Sequence, residues 1–164
     1  MTVKPSPLQL TDFQLLNLRY QFVNPTEDNR AEADVLFARY AVTVDFAIQR
    51  QDDSTFTIFT KAGINQDSAQ PGYVLFAEGV STFLFTDPSA LADDKFQNLL
   101  VYSGVGIAMQ QLRSRVADLT SFAPLGKYML PTLDINDLLA QKQAQKNLPK
   151  APVARKSSRV AKSN

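Results

Sequence analysis

The sequence predicts an α+β fold: a four-stranded antiparallel sheet with an early crossover, followed by two helices. Three observations carry that prediction. Apolar residues alternate with period two in successive runs before residue 86, and they recur at helical spacing between residues 105 and 119. The loop at 24–34, about eleven residues long, exceeds a tight hairpin, so the first strand is expected to cross over rather than turn back. Strands first and helices after imply a segregated α+β layer and not an alternating α/β sheet.

The first strand is read at Leu8–Val23, with Leu16, Leu18, Tyr20 and Phe22 in phase. A second is expected over residues 35–49, where Leu36, Ala38, Tyr40, Val42, Val44, Phe46 and Ile48 face one way and Arg39, Thr43, Asp45 and Gln49 the other. Residues 51–54 (Gln-Asp-Asp-Ser) make a turn into a third strand, Thr55–Ile64, so that the two form a hairpin. A polar loop with Pro71-Gly72 leads to a fourth strand over 73–86.

The character changes at Asp87-Pro88, an N-cap followed by Pro at the first helical position. Val105, Met109, Leu112, Val116 and Leu119 then form the apolar stripe of an amphipathic helix, with Gln110, Gln111, Arg113, Ser114 and Asp118 away from it. Gly104 and Gly106 mark either a helix break or a close approach of another backbone. After a connector at 122–131, Asp134 caps a second helix, and Asp137 stands where a capping box carries Glu.

Composition excludes much chemistry. The 164 residues contain no Cys, no His and no Trp. Disulfides, thiolate nucleophiles, cysteine zinc sites, imidazole bases and most transition-metal sites are therefore ruled out. The carboxylate pairs Asp52-Asp53, Asp93-Asp94 and Asp134/Asp137 are more simply a hairpin turn, a helix start or loop, and a cap. Gly104-x-Gly106 lacks the strand, third glycine and ribose acid of a nucleotide site. Residues 1–7 hold no apolar signal stretch, and no run approaches the ~20 apolar residues of a membrane helix; a cytoplasmic protein without membrane insertion is expected.

The formal net charge of +1 conceals two parts. Seven of the 17 basic residues fall in 141–164, which holds no acid, leaving ten bases against 16 acids in the first 140 residues. The division expected is a domain over 1–146 and a basic disordered tail over 147–164. In that tail Lys150, Arg155, Lys156, Arg159 and Lys162 could hold a polyanion, although no aromatic residue is present to stack on bases. A solubilising extension, or contact with the acidic body or an acidic client, are the other readings. Nucleic acid is not the expected partner.

The 11 Phe and five Tyr concentrate in the strands. Most are ordinary core residues. Yet Phe37 opposes the main face of its run, and Phe59 opposes Phe56 and Ile58. A single sheet covered on one side by helices cannot bury both faces, so some apolar surface is left for a second subunit or a ligand. A two-sheet sandwich would also account for it.

Residues 113–139, above all Leu119-Thr120-Ser121-Phe122-Ala123-Pro124 and Leu130-Pro131-Thr132-Leu133-Asp134-Ile135, resemble the link between the two helices of the SecB family of export chaperones. The runs at 35–49 and 55–64 are similar to that family's central hairpin, and its plan covers residues 8–146. The resemblance implies an ATP-independent holdase without cofactor, assembled as a homotetramer (a dimer of dimers), which binds unfolded polypeptides and in the export branch passes them to the SecA motor. By that analogy the client groove involves Phe22, Val23, Phe37, Tyr40, Leu133, Ile135, Leu138 and Leu139, and Gly104, Met109 and Leu112 pack between protomers. The chain departs from the export pattern in its basic tail and in Tyr102-Ser103-Gly104-Val105-Gly106, where an aromatic–Pro segment is usual. A branch dedicated to antitoxins or another specific client therefore stands beside export.

Overall fold

A computed structural model describes residues 1–27, 31–67, 70–87 and 97–147. The chain forms two compact units, Met1–Leu133 and Asp134–Asn164. The first holds a four-stranded antiparallel sheet of order β1-β4-β3-β2, with β1 at Leu8–Val23, β2 at Val42–Arg50, β3 at Thr55–Ile64 and β4 at Gly72–Phe85. Helices follow the strands, so the architecture is the α+β arrangement expected. β1 and β2 occupy opposite edges, and the connection between them is therefore a crossover.

The strand expected over 35–49 is corrected here. Ala33–Ala38 is a helix, α1, and β2 begins only at Val42. Leu36 and Tyr40 stand four residues apart, a spacing that satisfies both period two and one helical turn. The crossover decides between them: the helical turn buries Leu36 and Tyr40, at 2% and 7% exposure.

β1 also departs from simple alternation. Register shifts between Leu10 and Asp12 and between Leu15 and Asn17 insert bulges. Each bulge reverses the phase, so Leu8, Leu10, Phe13, Leu15, Leu18, Tyr20 and Phe22 share the face of Phe85, Phe83, Ser81, Gly79, Ala77, Leu75 and Tyr73 on β4. Leu16, expected in phase with Leu18, is instead the inserted residue and is exposed.

The covering layer begins with a π-helical turn at Leu99–Gly104 that runs into helix α2, Val105–Thr120. α2 packs on β3 and β4 and reaches β1. Its stripe Val105, Met109, Leu112 and Val116 is buried against Ile58, Ala62, Leu75 and Ala77 on the sheet, and each large side chain contributes about 1.5–3 kcal/mol by leaving water. Gly104 lies against β3, where a Cβ would sit 2.9 Å from Ile58 Cδ1. The connector 121–133 follows; Leu130 and Tyr128 bury 99% and 97% of their surface in the same core.

The β2–β3 turn is an Asx turn: Asp52 Oδ1 accepts the Ser54 and Thr55 N–H at 2.8 and 2.7 Å. These bonds hold the Asp52 carboxyl below its ordinary range. Phe59 faces away from Phe56 and Ile58, as expected, since it pairs with Ala47 and Val80 on the outer face.

In the second unit, helix α3 spans Ile135–Asn147. Asp134 Oδ1 accepts the Asn136 and Asp137 N–H at 2.9 and 3.2 Å, the expected cap. Asp137 does not complete a capping box; its Oδ2 accepts Gln141 Nε2 at 2.8 Å. The expected helix start at Pro88, the pair Asp93-Asp94 and the tail residues Lys150, Arg155, Lys156, Arg159 and Lys162 lie outside the described residues.

Candidate functional site

The strongest chemical feature of the first unit is a cluster of aromatic rings at the end of the sheet where β1 finishes and β4 starts. Phase places Phe22 and Tyr73 side by side, with ring centroids 6.0 Å apart. Tyr20 lies 5.6 Å from Tyr73 on its other side. α1 inserts Phe37 over Tyr73 at 5.4 Å, and the connector brings Tyr128 edge-on to Phe37 at 5.1 Å and 82°. Tyr40 completes the group, 5.6 Å from Phe37 and 5.8 Å from Tyr128. Tilted and edge-on contacts of this kind add about 0.5–1.5 kcal/mol each beyond area burial.

Phenol groups tie the surrounding loops to this cluster. The Tyr40 hydroxyl donates to Pro71 O at 3.0 Å and accepts the Tyr73 N–H at 2.8 Å. Gly72 is required beside it: its φ is 103°, and any Cβ would collide with Tyr40 Oη. The Tyr73 hydroxyl donates to Gly126 O at 2.9 Å and accepts the Leu125 N–H at 2.7 Å. Asn65, at φ 56°, secures the preceding loop by donating to Gln70 O and Tyr73 O at 2.7 and 3.0 Å. Burial raises the Tyr40 and Tyr73 phenols above their ordinary range, and it pushes Tyr128 up to about 12, with Tyr40 adding a smaller repulsion. All three are neutral at physiological pH, so Tyr40 and Tyr73 keep the protons they donate.

Beside these rings opens a groove of about 400 Å³, whose lining includes Phe22, Pro25, Thr26, Glu27, Ala31, Pro124 and Leu125. Prolines from the crossover and from the connector form its walls, and among the described residues Glu27 is the one charged side chain in the lining. Such a surface takes apolar side chains by desolvation and offers little to a charged ligand. Among the described residues, no three His, Cys, Asp or Glu side chains gather into a possible metal site. No helix among them is long and apolar enough to cross a membrane.

The structure brings together three of the groove residues expected from the sequence, Phe22, Phe37 and Tyr40. Val23 pairs with Gly72 and takes the opposite face from Phe22. Leu133 closes the first unit and is half-buried; Ile135, Leu138 and Leu139 share one face of α3 and are half-buried. Of the residues expected between protomers, Gly104 and Leu112 are buried and Met109 is 5% exposed, all within the chain's own core. The stripe that reads as an interface is the helix face packed on its own sheet. Tyr73, Tyr128, Pro25, Pro124 and Leu125 were not anticipated. Pro71-Gly72 immediately before an aromatic was the available signal for Tyr73; Tyr128 lies in a connector without periodicity.

No family model matches the chain, and no curated protein matches it in sequence. Among solved structures, a SecB-like chaperone of Mycobacterium tuberculosis in complex with a ChAD peptide from an antitoxin is 18% identical, with a TM-score of 0.48 over 77% of this chain and 91% of that one. A protein of unknown function from Streptococcus agalactiae is 12% identical, with a TM-score of 0.35 over 76% of this chain and 96% of that one.

Proposed function

We propose that this protein is an ATP-independent holdase that binds unfolded or partly folded polypeptides through the aromatic groove. The observation that carries the reading is the groove itself: about 400 Å³, Pro-walled, with a single charged lining residue among the described ones, floored by Phe22 beside Tyr73. An extended client docks apolar side chains there, and the neutral phenols behind it hold the walls in place. The sequence resemblance to the SecB family supports the same reading. It also gives the finer one: a cytoplasmic homotetramer that receives export precursors and hands them to the SecA motor. Exposed Leu15, Leu16 and Phe122 are candidates for assembly in place of the buried stripe, and Phe122 is wholly exposed. A chaperone dedicated to an antitoxin is the alternative within this reading, separated from it by the identity of the bound client.

The experiment is suppression of aggregation of a reduced, unfolded client without nucleotide. Suppression at stoichiometric amounts is expected; none across a range of clients contradicts the proposal. A second reading rests on the acid-free, basic stretch after residue 140, which suits polyanion binding. In that case truncation after Lys146 abolishes nucleic-acid binding, which otherwise falls steeply with salt.

A further inference from the structure

The opposite face of the sheet carries a second, chemically distinct site. In register on the edge and its neighbour, Arg19 of β1 stands across from Phe76 of β4, with the guanidinium 4.6 Å from the ring centroid. Beside the pair lies a cleft of about 450 Å³, whose lining includes the exposed Gln21 and Gln66 and the half-buried Val74. Phase puts Arg19 and Phe76 on the side away from Phe22 and Tyr73; Leu18 and Tyr20, from the cluster's face, complete the lining around the β1 edge, and the cleft shares no lining residue with the groove at Phe22 and Pro124.

The charges define what fits. No acid among the described residues lines the cleft. Among the described residues no carboxylate lies within ion-pair distance of Arg19. The acids of this face stand elsewhere: Asp12 is across from Thr82 at the far end of β1, and Asp45 and Glu78 flank Lys61 in the neighbouring row, where Asp45 approaches Lys61 Nζ at 3.3 Å. The guanidinium lies over the Phe76 ring, and its N–H groups can bind a carboxylate in two-point geometry. The two Gln amides add neutral donors, and Val74 with Phe76 supplies an apolar floor. One fixed cation and a small floor suit a single carboxylate beside an apolar side chain; a nucleic acid or membrane surface would call for several basic residues.

We propose that this outer-face cleft docks a partner polypeptide through an acidic side chain placed next to an aromatic or aliphatic one. The site is separate from the client groove and does not depend on the holdase reading.

The test uses the full chain and a short fluorescein-labelled peptide carrying Glu beside Phe, with a Gln-for-Glu version as control, read by fluorescence anisotropy. Because the basic residues after 140 attract any acidic peptide, the Arg19 variants carry the decision. Arg19→Glu is expected to weaken the Glu peptide by at least about tenfold. Arg19→Lys, which keeps the charge and loses the planar fork, falls between, and amide shifts in the wild type centre on Arg19, Gln21 and Phe76. Unchanged affinity in Arg19→Glu, or equal binding of the Gln peptide, overturns the proposal. So does Arg19-dependent binding of anionic vesicles or single-stranded nucleic acid without binding of the peptide. Peptide binding intact in a protein that suppresses no aggregation would count against the holdase and leave this site standing.

Discussion

The Tyr40 hydroxyl accepts the backbone N–H of Tyr73 at 2.8 Å while donating to Pro71 O. One phenol thus joins the crossover after β1 to the start of β4, and the groove lies where the crossover meets the connector. The apolar surface offered to a client depends on a polar device behind it.

Removing that device should loosen the groove. In Tyr40→Phe the buried Tyr73 N–H and the Pro71 carbonyl each lose a partner, which costs about 1–3 kcal/mol. Urea unfolding should show the loss as a lower midpoint with an unchanged slope. A variant as stable as the wild type would mean that water or another group satisfies the Tyr73 N–H.

The glycines of the π turn and α2 separate two roles. Gly104→Val drives a side chain into Ile58 and should destabilise by about 1–3 kcal/mol. A Cβ at Gly106 meets nothing within 4 Å, so Gly106→Ala should stabilise by about 0.5–1 kcal/mol through helix propensity. Both should leave the oligomeric state in native mass spectrometry unchanged, since Gly104 faces its own sheet. Dissociation of an assembly by Gly104→Val without loss of thermal stability would restore that position to an interface.

Burial of Tyr128 gives stability a signature in alkali. Its phenol is raised to about 12 in the folded chain from an ordinary value of 10.0. Below pH 10 both states hold the proton and the group adds no pH dependence. Between pH 10 and 12 the unfolded chain releases it first, so stability falls as pH rises. Tyr128→Phe removes that contribution, and its denaturation midpoint should decline less over the same interval. An identical decline in both proteins would show that Tyr128 ionises freely.

Much of the sheet was legible because period two is a local signal. Leu8–Val23 and Thr55–Ile64 have the ends that alternation and turn residues give them. α1 was not legible, because the Leu36–Tyr40 spacing is common to strand and helix and only the crossover distinguishes them. Leu16 was misplaced because a bulge changes phase without changing composition. The site was half legible. Phe22, Phe37 and Tyr40 stand in apolar runs, whereas Tyr73 and Tyr128 join them through contacts between segments far apart in the chain. The stripe at Gly104, Met109 and Leu112 is ambiguous for a related reason: periodicity reports that a face is buried, not whether the same chain buries it.

Replacing Phe22 by Asp places a charge at the floor of the groove. Phe22 is half-buried at the end of β1, so the fold should persist with a modest loss, checked by circular dichroism. Affinity for an unfolded client, read by calorimetry, should fall by about tenfold or more. Affinity unchanged in a folded Phe22→Asp variant would move the client site elsewhere.

The most direct measurement is site-specific photo-crosslinking of an unfolded client to the full chain, with a photoreactive phenylalanine analogue placed in turn at Phe22, at Leu125 and, as a control on the outer face, at the exposed Gln49. The account predicts client adducts at Phe22 and Leu125 that a competing apolar peptide removes, and none above background at Gln49. Adducts at Gln49 with none at Phe22 or Leu125 would contradict it.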